Sequence, residues 1–62
     1  MKFQIGDHVK KVTGEYGFVG HVRAAFTTSS WAERYVVEHE DLHMLHIFNE
    51  GNLELIYRID HV

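Results

Sequence analysis

The chain contains no cysteine among its 62 residues, which excludes disulfides and thiolate-held zinc. The same lack fits a reducing compartment, so a cytoplasmic location is expected. No apolar run approaches the ~20 residues that a transmembrane helix requires, and residues 1–7 lack the apolar core of a signal peptide. No membrane partner is expected. Positive charge is scarce as well: six Lys and Arg against nine Asp and Glu leave a formal net charge of −3. A nucleic-acid binder normally carries a basic face, so no nucleic-acid partner is expected either. Lys10 and Lys11 form one local basic spot. Internal repeats, linkers and low-complexity stretches are also missing.

Size sets the next constraint. Sixty-two residues make one domain, read as spanning 1–62, and a chain this short buries only about 60% of the surface that its unfolded form exposes. One core of that size supplies about 3–5 kcal/mol, so small folds lean on a staple. With disulfides excluded, oligomerisation is the expected one.

What is present is a series of short β-rich runs. Strands are expected over 8–12, 18–26, 34–38, 44–48 and 53–59, each bounded by Gly, Asn, Asp, Ser or Thr. In the second, alternation puts Phe18, Gly20, Val22, Ala24 and Phe26 on one face. Gly20 marks a bend or a close backbone approach. In the last, Leu53, Leu55, Tyr57 and Ile59 share a face. Asn49 to Asn52 reads as a tight turn or one 3₁₀ turn. Five short strands without a helical period suggest an all-β, SH3-like barrel, homo-oligomeric.

The stretch Leu45-His46-Ile47-Phe48 carries the functional interest. Alternation sends Leu45 and Ile47 to one face, expected to fill the core. His46 and Phe48 go to the other, a titratable ring beside an aromatic one, expected to meet a flat ligand or a partner subunit. His46 has apolar neighbours on both sides and should be partly buried, as a satisfied core or interface histidine or as a ligand contact.

His39-Glu40-Asp41-Leu42-His43 satisfies the H-E-x-x-H pattern, and His46 follows three residues on. On a helix the two histidines would share a face and hold zinc, with Glu40 as base. Strand formers at Tyr35-Val36-Val37 lead into it and no capping residue precedes it, so no metal site is expected, although on strands positions 39 and 43 could converge on an adventitious ion. No nucleophile has a base beside it, and Ser29-Ser30 read as turn formers. Gly14-Glu15-Tyr16-Gly17 lacks the helix that a phosphate-binding loop needs. Trp31, in a polar turn, is read as core packing, with an exposed contact as the alternative.

Taken together, Gly6-Asp7-His8-Val9-Lys10-Lys11, Gly14, Gly20, Tyr35-Val36-Val37-Glu38, Leu45-His46-Ile47-Phe48 and Leu53-Glu54 resemble the plasmid-borne, trimethoprim-resistant type II dihydrofolate reductases. The resemblance runs from about Gly6 to Ile56, with a small length difference in the first loop. It implies an SH3-like barrel that forms a homotetramer around one central pore, with NADPH as cofactor and hydride transfer to dihydrofolate. The pore lining it implies is Lys11, Met44, Leu45, His46, Ile47 and Phe48. Lys11 matches the family's ligand-attracting lysine and Ile47 its isoleucine. Leu45 replaces valine, His46 glutamine, Phe48 tyrosine and Met44 serine. Histidine keeps one donor and one acceptor with a different geometry, whereas Phe48 loses a hydroxyl. Catalysis in such a pore is mainly proximity and orientation, and no side chain is an evident general acid. The alternative reading is a non-catalytic SH3-like module that uses the same scaffold for protein or small-ligand contact.

Overall fold

The computed structural model describes residues 1–58; the expected strand position Ile59 and the last three residues of the expected domain lie outside the described residues. The fold is all-β, with five strands in one antiparallel sheet. They are β1 (His8–Lys11), β2 (Val19–Thr27), β3 (Glu33–His39), β4 (Leu45–Asn49) and β5 (Leu53–Tyr57), with one 3₁₀ turn at Glu50–Asn52. Their order across the sheet is β4-β3-β2-β1-β5. The first four strands form a meander and β5 returns beside β1. Among the described residues the sheet is not closed, and β4 and β5 are its edges. Among the described residues no helix is long and apolar enough to cross a membrane.

Local chemistry explains the corners. Asp7 N–H donates to the Gln4 carbonyl across a four-residue turn, and Gly6 holds the positive φ of 96° at its third position that glycine adopts without strain. The 3₁₀ turn is closed at its start by Asn52, whose side-chain oxygen accepts the Asn49 N–H at 3.0 Å. Gly20 is the close approach that its place in a strand suggests. A Cβ there would strike the Glu38 carbonyl oxygen and sit 2.8 Å from Val37 Cγ1.

The core is small: Phe3, Val9, Val22, Tyr35, Val37 and Leu53, with Phe18, Ala25 and Phe48 packed against it. Phe3 meets Tyr35 edge to face at 5.1 Å. The buried Tyr35 hydroxyl accepts the Lys2 and Phe3 N–H groups at 3.0 and 3.3 Å, tying down the N-terminal segment. Asp7, also buried, accepts from Gln4 N–H at 2.8 Å and from the Arg58 guanidinium at 2.9 Å. That guanidinium holds the Asp7 carboxyl below its ordinary range, against the opposing effect of burial.

Three side-chain patterns differ from simple alternation. A bulge between Val22 and Ala24 shifts the phase of β2, so Ala25 faces inward opposite Tyr35 and Phe26 turns out, 41% exposed. The expected stripe through Ala24 and Phe26 is therefore broken after Val22. On β5, Leu53 alone is buried among the described members of the expected stripe. Leu55 and Tyr57 are exposed, because this edge strand runs past the core and carries a second irregularity opposite His8 and Val9. The third difference concerns β4.

Candidate functional site

In β4 the faces are the reverse of those expected. Leu45 and Ile47 point outward, each 61% exposed, while His46 and Phe48 turn toward the core side and are half-buried. The cause lies in the neighbouring strand. Register pairs Phe48 with Tyr35 and His46 with Val37, both fully buried, so the inner face of β3 continues into these two rings. Ile47 pairs with Val36 and Leu45 with Glu38 on the outer side.

His46 joins an aromatic cluster within the chain. Its Nδ1 lies 3.1 Å from His39 Nε2, one ring nitrogen donating and the other accepting. His39 is buried, and Phe18 stacks on it at 3.5 Å between ring centroids, 14° from parallel. Phe18 also meets His46 at 5.8 Å and Phe48 at 5.6 Å. The arrangement satisfies a buried polar ring and stiffens the joint between the end of β3 and β4. His39 escapes a reading that ends the third strand at Glu38; the signal was the inward alternation Tyr35, Val37, His39.

The H-E-x-x-H residues lie on a strand end and a turn. His39 points into the cluster, whereas His43, at φ 58°, turns outward with its Nδ1 2.9 Å from Glu38 Oε2. Arg23 Nε donates to the other Glu38 oxygen at 2.9 Å. Arg23 first, then His43, holds the Glu38 carboxyl below its usual range. Among the described residues no three His, Asp or Glu side chains group so as to hold a metal ion. A second histidine pair lies across β1 and β2, where His8 and His21 stack at 4.7 Å and Tyr57 meets His8 edge-on. Glu40 is 3.6 Å from His8, and neither His8 ring nitrogen has a hydrogen-bond partner among the described residues.

Lys11 is next to Phe18, its backbone N–H donating to the Phe18 carbonyl at 2.9 Å. Its ammonium donates to the Thr13 and Tyr16 carbonyls and lies 5.2 Å from the Tyr16 ring centre. With Lys10, Gly17, Phe18, Val19 and Asp41 it lines an open hollow of about 400 Å³. The resemblance-derived residues thus fall into three places. Lys11 lines this hollow, His46 and Phe48 face the aromatic cluster, and Met44, Leu45 and Ile47 are exposed. Phe18 bridges the hollow and the cluster.

The outer face of β2, β3 and β4 is apolar around one row: Ala24 pairs with Val36, and Val36 with Ile47. Leu45, Met44 and Phe26 extend it and are 41–61% exposed. On the free edge, Leu45–Asn49 has no Lys, Arg, Asp, Glu or Pro, the residues that commonly shield an edge strand.

Trp31 is 86% exposed, so the core-packing expectation does not hold. It occupies a left-handed φ of 65° at the tip of the β2–β3 hairpin, a conformation that costs an L-residue roughly 1–2 kcal/mol. The tip is tightly stitched: Trp31 N–H donates to the Thr28 carbonyl at 2.9 Å and Thr28 N–H to the Ala32 carbonyl at 2.9 Å. Thr28 Oγ1 further accepts the Ala32 N–H at 3.2 Å. These bonds fix the backbone of the tip, from which the indole projects.

Compared with known proteins, the chain matches no family model and no curated sequence.

Proposed function

We propose that the protein is a self-associating, SH3-like interaction module whose copies meet through the outer face and free edge of β4, with no catalytic step of its own. The observation that carries this reading is the exposure of Leu45 and Ile47, 61% each, on an edge strand with no charged residue. An open edge offers unpaired N–H and C=O groups to a second strand, and the aliphatic row beside it supplies burial. Association also answers the small core, since a chain of this length gains the staple it lacks. The return of β5 beside β1 and the 3₁₀ turn linking the two edge strands support the curl of a small barrel.

Light scattering on the purified protein tests it. An oligomer whose mass falls on Ile47→Glu supports the reading, and a wild-type particle of 7.3 kDa at tens of micromolar sinks it.

One observation favours a second reading, a type II dihydrofolate reductase-like enzyme that uses NADPH in a pore shared by a homotetramer. Lys11 lines a hollow beside the aromatic Phe18, a setting that suits a flat anionic ligand. Against it, the imidazole that stands where the family has glutamine is engaged within its own chain by His39. Absorbance of NADPH mixed with dihydrofolate decides: trimethoprim-insensitive turnover establishes the reductase, and no turnover together with no NADPH binding removes it.

A further inference from the structure

The hairpin tip, with its exposed indole, and the hollow, with its lysine and phenylalanine walls, lie at opposite ends of one strand. The hollow is bounded by Val19, the first residue of β2, and Trp31 follows shortly after Thr27, its last. The eight steps between the ends of β2 span about 26 Å at ~3.3 Å each, so Trp31 cannot reach the hollow of its own chain. A second copy can present it.

We propose that Trp31 of one copy docks in the hollow beside Lys10 and Phe18 of another, a head-to-tail contact separate from pairing through β4. The hollow, about 400 Å³, has room for one two-ring side chain. Lys10 and Val19 are cross-strand neighbours that form one wall, and Phe18, stacked on His39 by one face, contributes an aromatic wall. An ammonium beside an indole is a favourable cation–π pair, tryptophan being its best ring partner. Lys10 suits that role, because the Lys11 ammonium is already engaged by Thr13, Tyr16 and the Tyr16 ring. The stitched backbone of the tip means that little backbone freedom remains to be lost on docking. Because knob and hollow differ, the contact is heterologous: repeated, it builds a ring or an open chain of copies.

The chain has one tryptophan, so its fluorescence reports this residue alone. The experiment uses the Ile47→Glu background, which takes the β4 face out of play. Concentrating the protein should move Trp31 emission to shorter wavelength as the indole leaves water. Emission that stays fixed overturns the contact.

Complementation adds a test that does not depend on a single variant. Trp31→Gly loses the knob, keeps the hollow and suits the left-handed φ. Val19→Arg fills the hollow and keeps the knob, and Lys10→Glu serves the same purpose if Val19→Arg does not fold. In that background each should remain a single chain alone, and the mixture should form a 1:1 pair. A mixture that stays at the mass of one chain overturns the contact and leaves the hollow to a small-molecule occupant. The mass of Trp31→Gly carrying native Ile47 separately reports on pairing through β4, so the two proposals fail by different measurements.

Discussion

The two faces of β4 belong to one five-residue strand and obey different rules. His46 and Phe48 are held by neighbours of their own chain: His39 by hydrogen bond, Phe18 by ring contact, Tyr35 and Val37 by strand register. Leu45 and Ile47 have comparable apolar bulk and no such cover among the described residues. In a chain this short the core is filled by one face, and the aliphatic side chains left on the other remain available to another molecule. Apolarity alone therefore does not say which face is the core. The partner strand decides it, and here β3 presents Tyr35, Val37 and His39 to the inside.

Substitutions on the two faces should separate cleanly. The largest effect belongs to the buried anchor next to Phe48: Tyr35→Ala should cost about 3–5 kcal/mol, close to the whole stability of a domain this size, and denaturant titration should find it largely unfolded. Phe48→Ala, half-buried, should cost roughly 2 kcal/mol in the same titration. Ile47→Ala should change the stability of the single chain by no more than about 0.5 kcal/mol while weakening association. Equal losses for Phe48→Ala and Ile47→Ala in the single chain would erase the distinction between the faces.

His46→Leu sharpens it further. It leaves His39 Nε2 without its partner, for a loss of about 1–2 kcal/mol, whereas His46→Gln, which can still donate or accept, should lose less. Acid titration addresses the remaining buried polar link. Asp7 has a lowered pKa in the folded state, so the unfolded chain takes up protons more readily. The stability it contributes is complete above about pH 5 and falls as pH drops through and below ~4, the carboxylate's unfolded value. Asp7→Asn should remove that part of the pH dependence. One substitution should be a gain: Trp31→Gly relieves the left-handed backbone and should raise the thermal stability of the single chain by about 0.5–1 kcal/mol.

Much of the architecture was legible in the amino-acid sequence, since β-branched runs and turn residues mark all five strands and the 3₁₀ turn. Gly20 announced a bend or a close approach, and the structure has the close approach. Facing was less legible. The bulge after Val22 moves Ala25 inward and Phe26 outward, and nothing local marks it. The candidate site was legible as a stretch, residues 44–48, but its orientation depended on the register with β3, a non-local fact. The Asp7–Arg58 link joins groups 51 positions apart, and the His39–Phe18 stack joins two strand ends; neither has a periodic signature. Trp31 reads as core packing, with an exposed contact as the alternative; its polar turn is the signal for the alternative, which its 86% exposure bears out as to exposure alone.

The most direct test of the account is the solution mass of Trp31→Gly beside that of Trp31→Gly/Ile47→Glu, both measured by light scattering at matched concentration. Without the hairpin knob, pairing through β4 predicts a multiple of 7.3 kDa for the first and a single chain for the second. Equal masses for the two would contradict it.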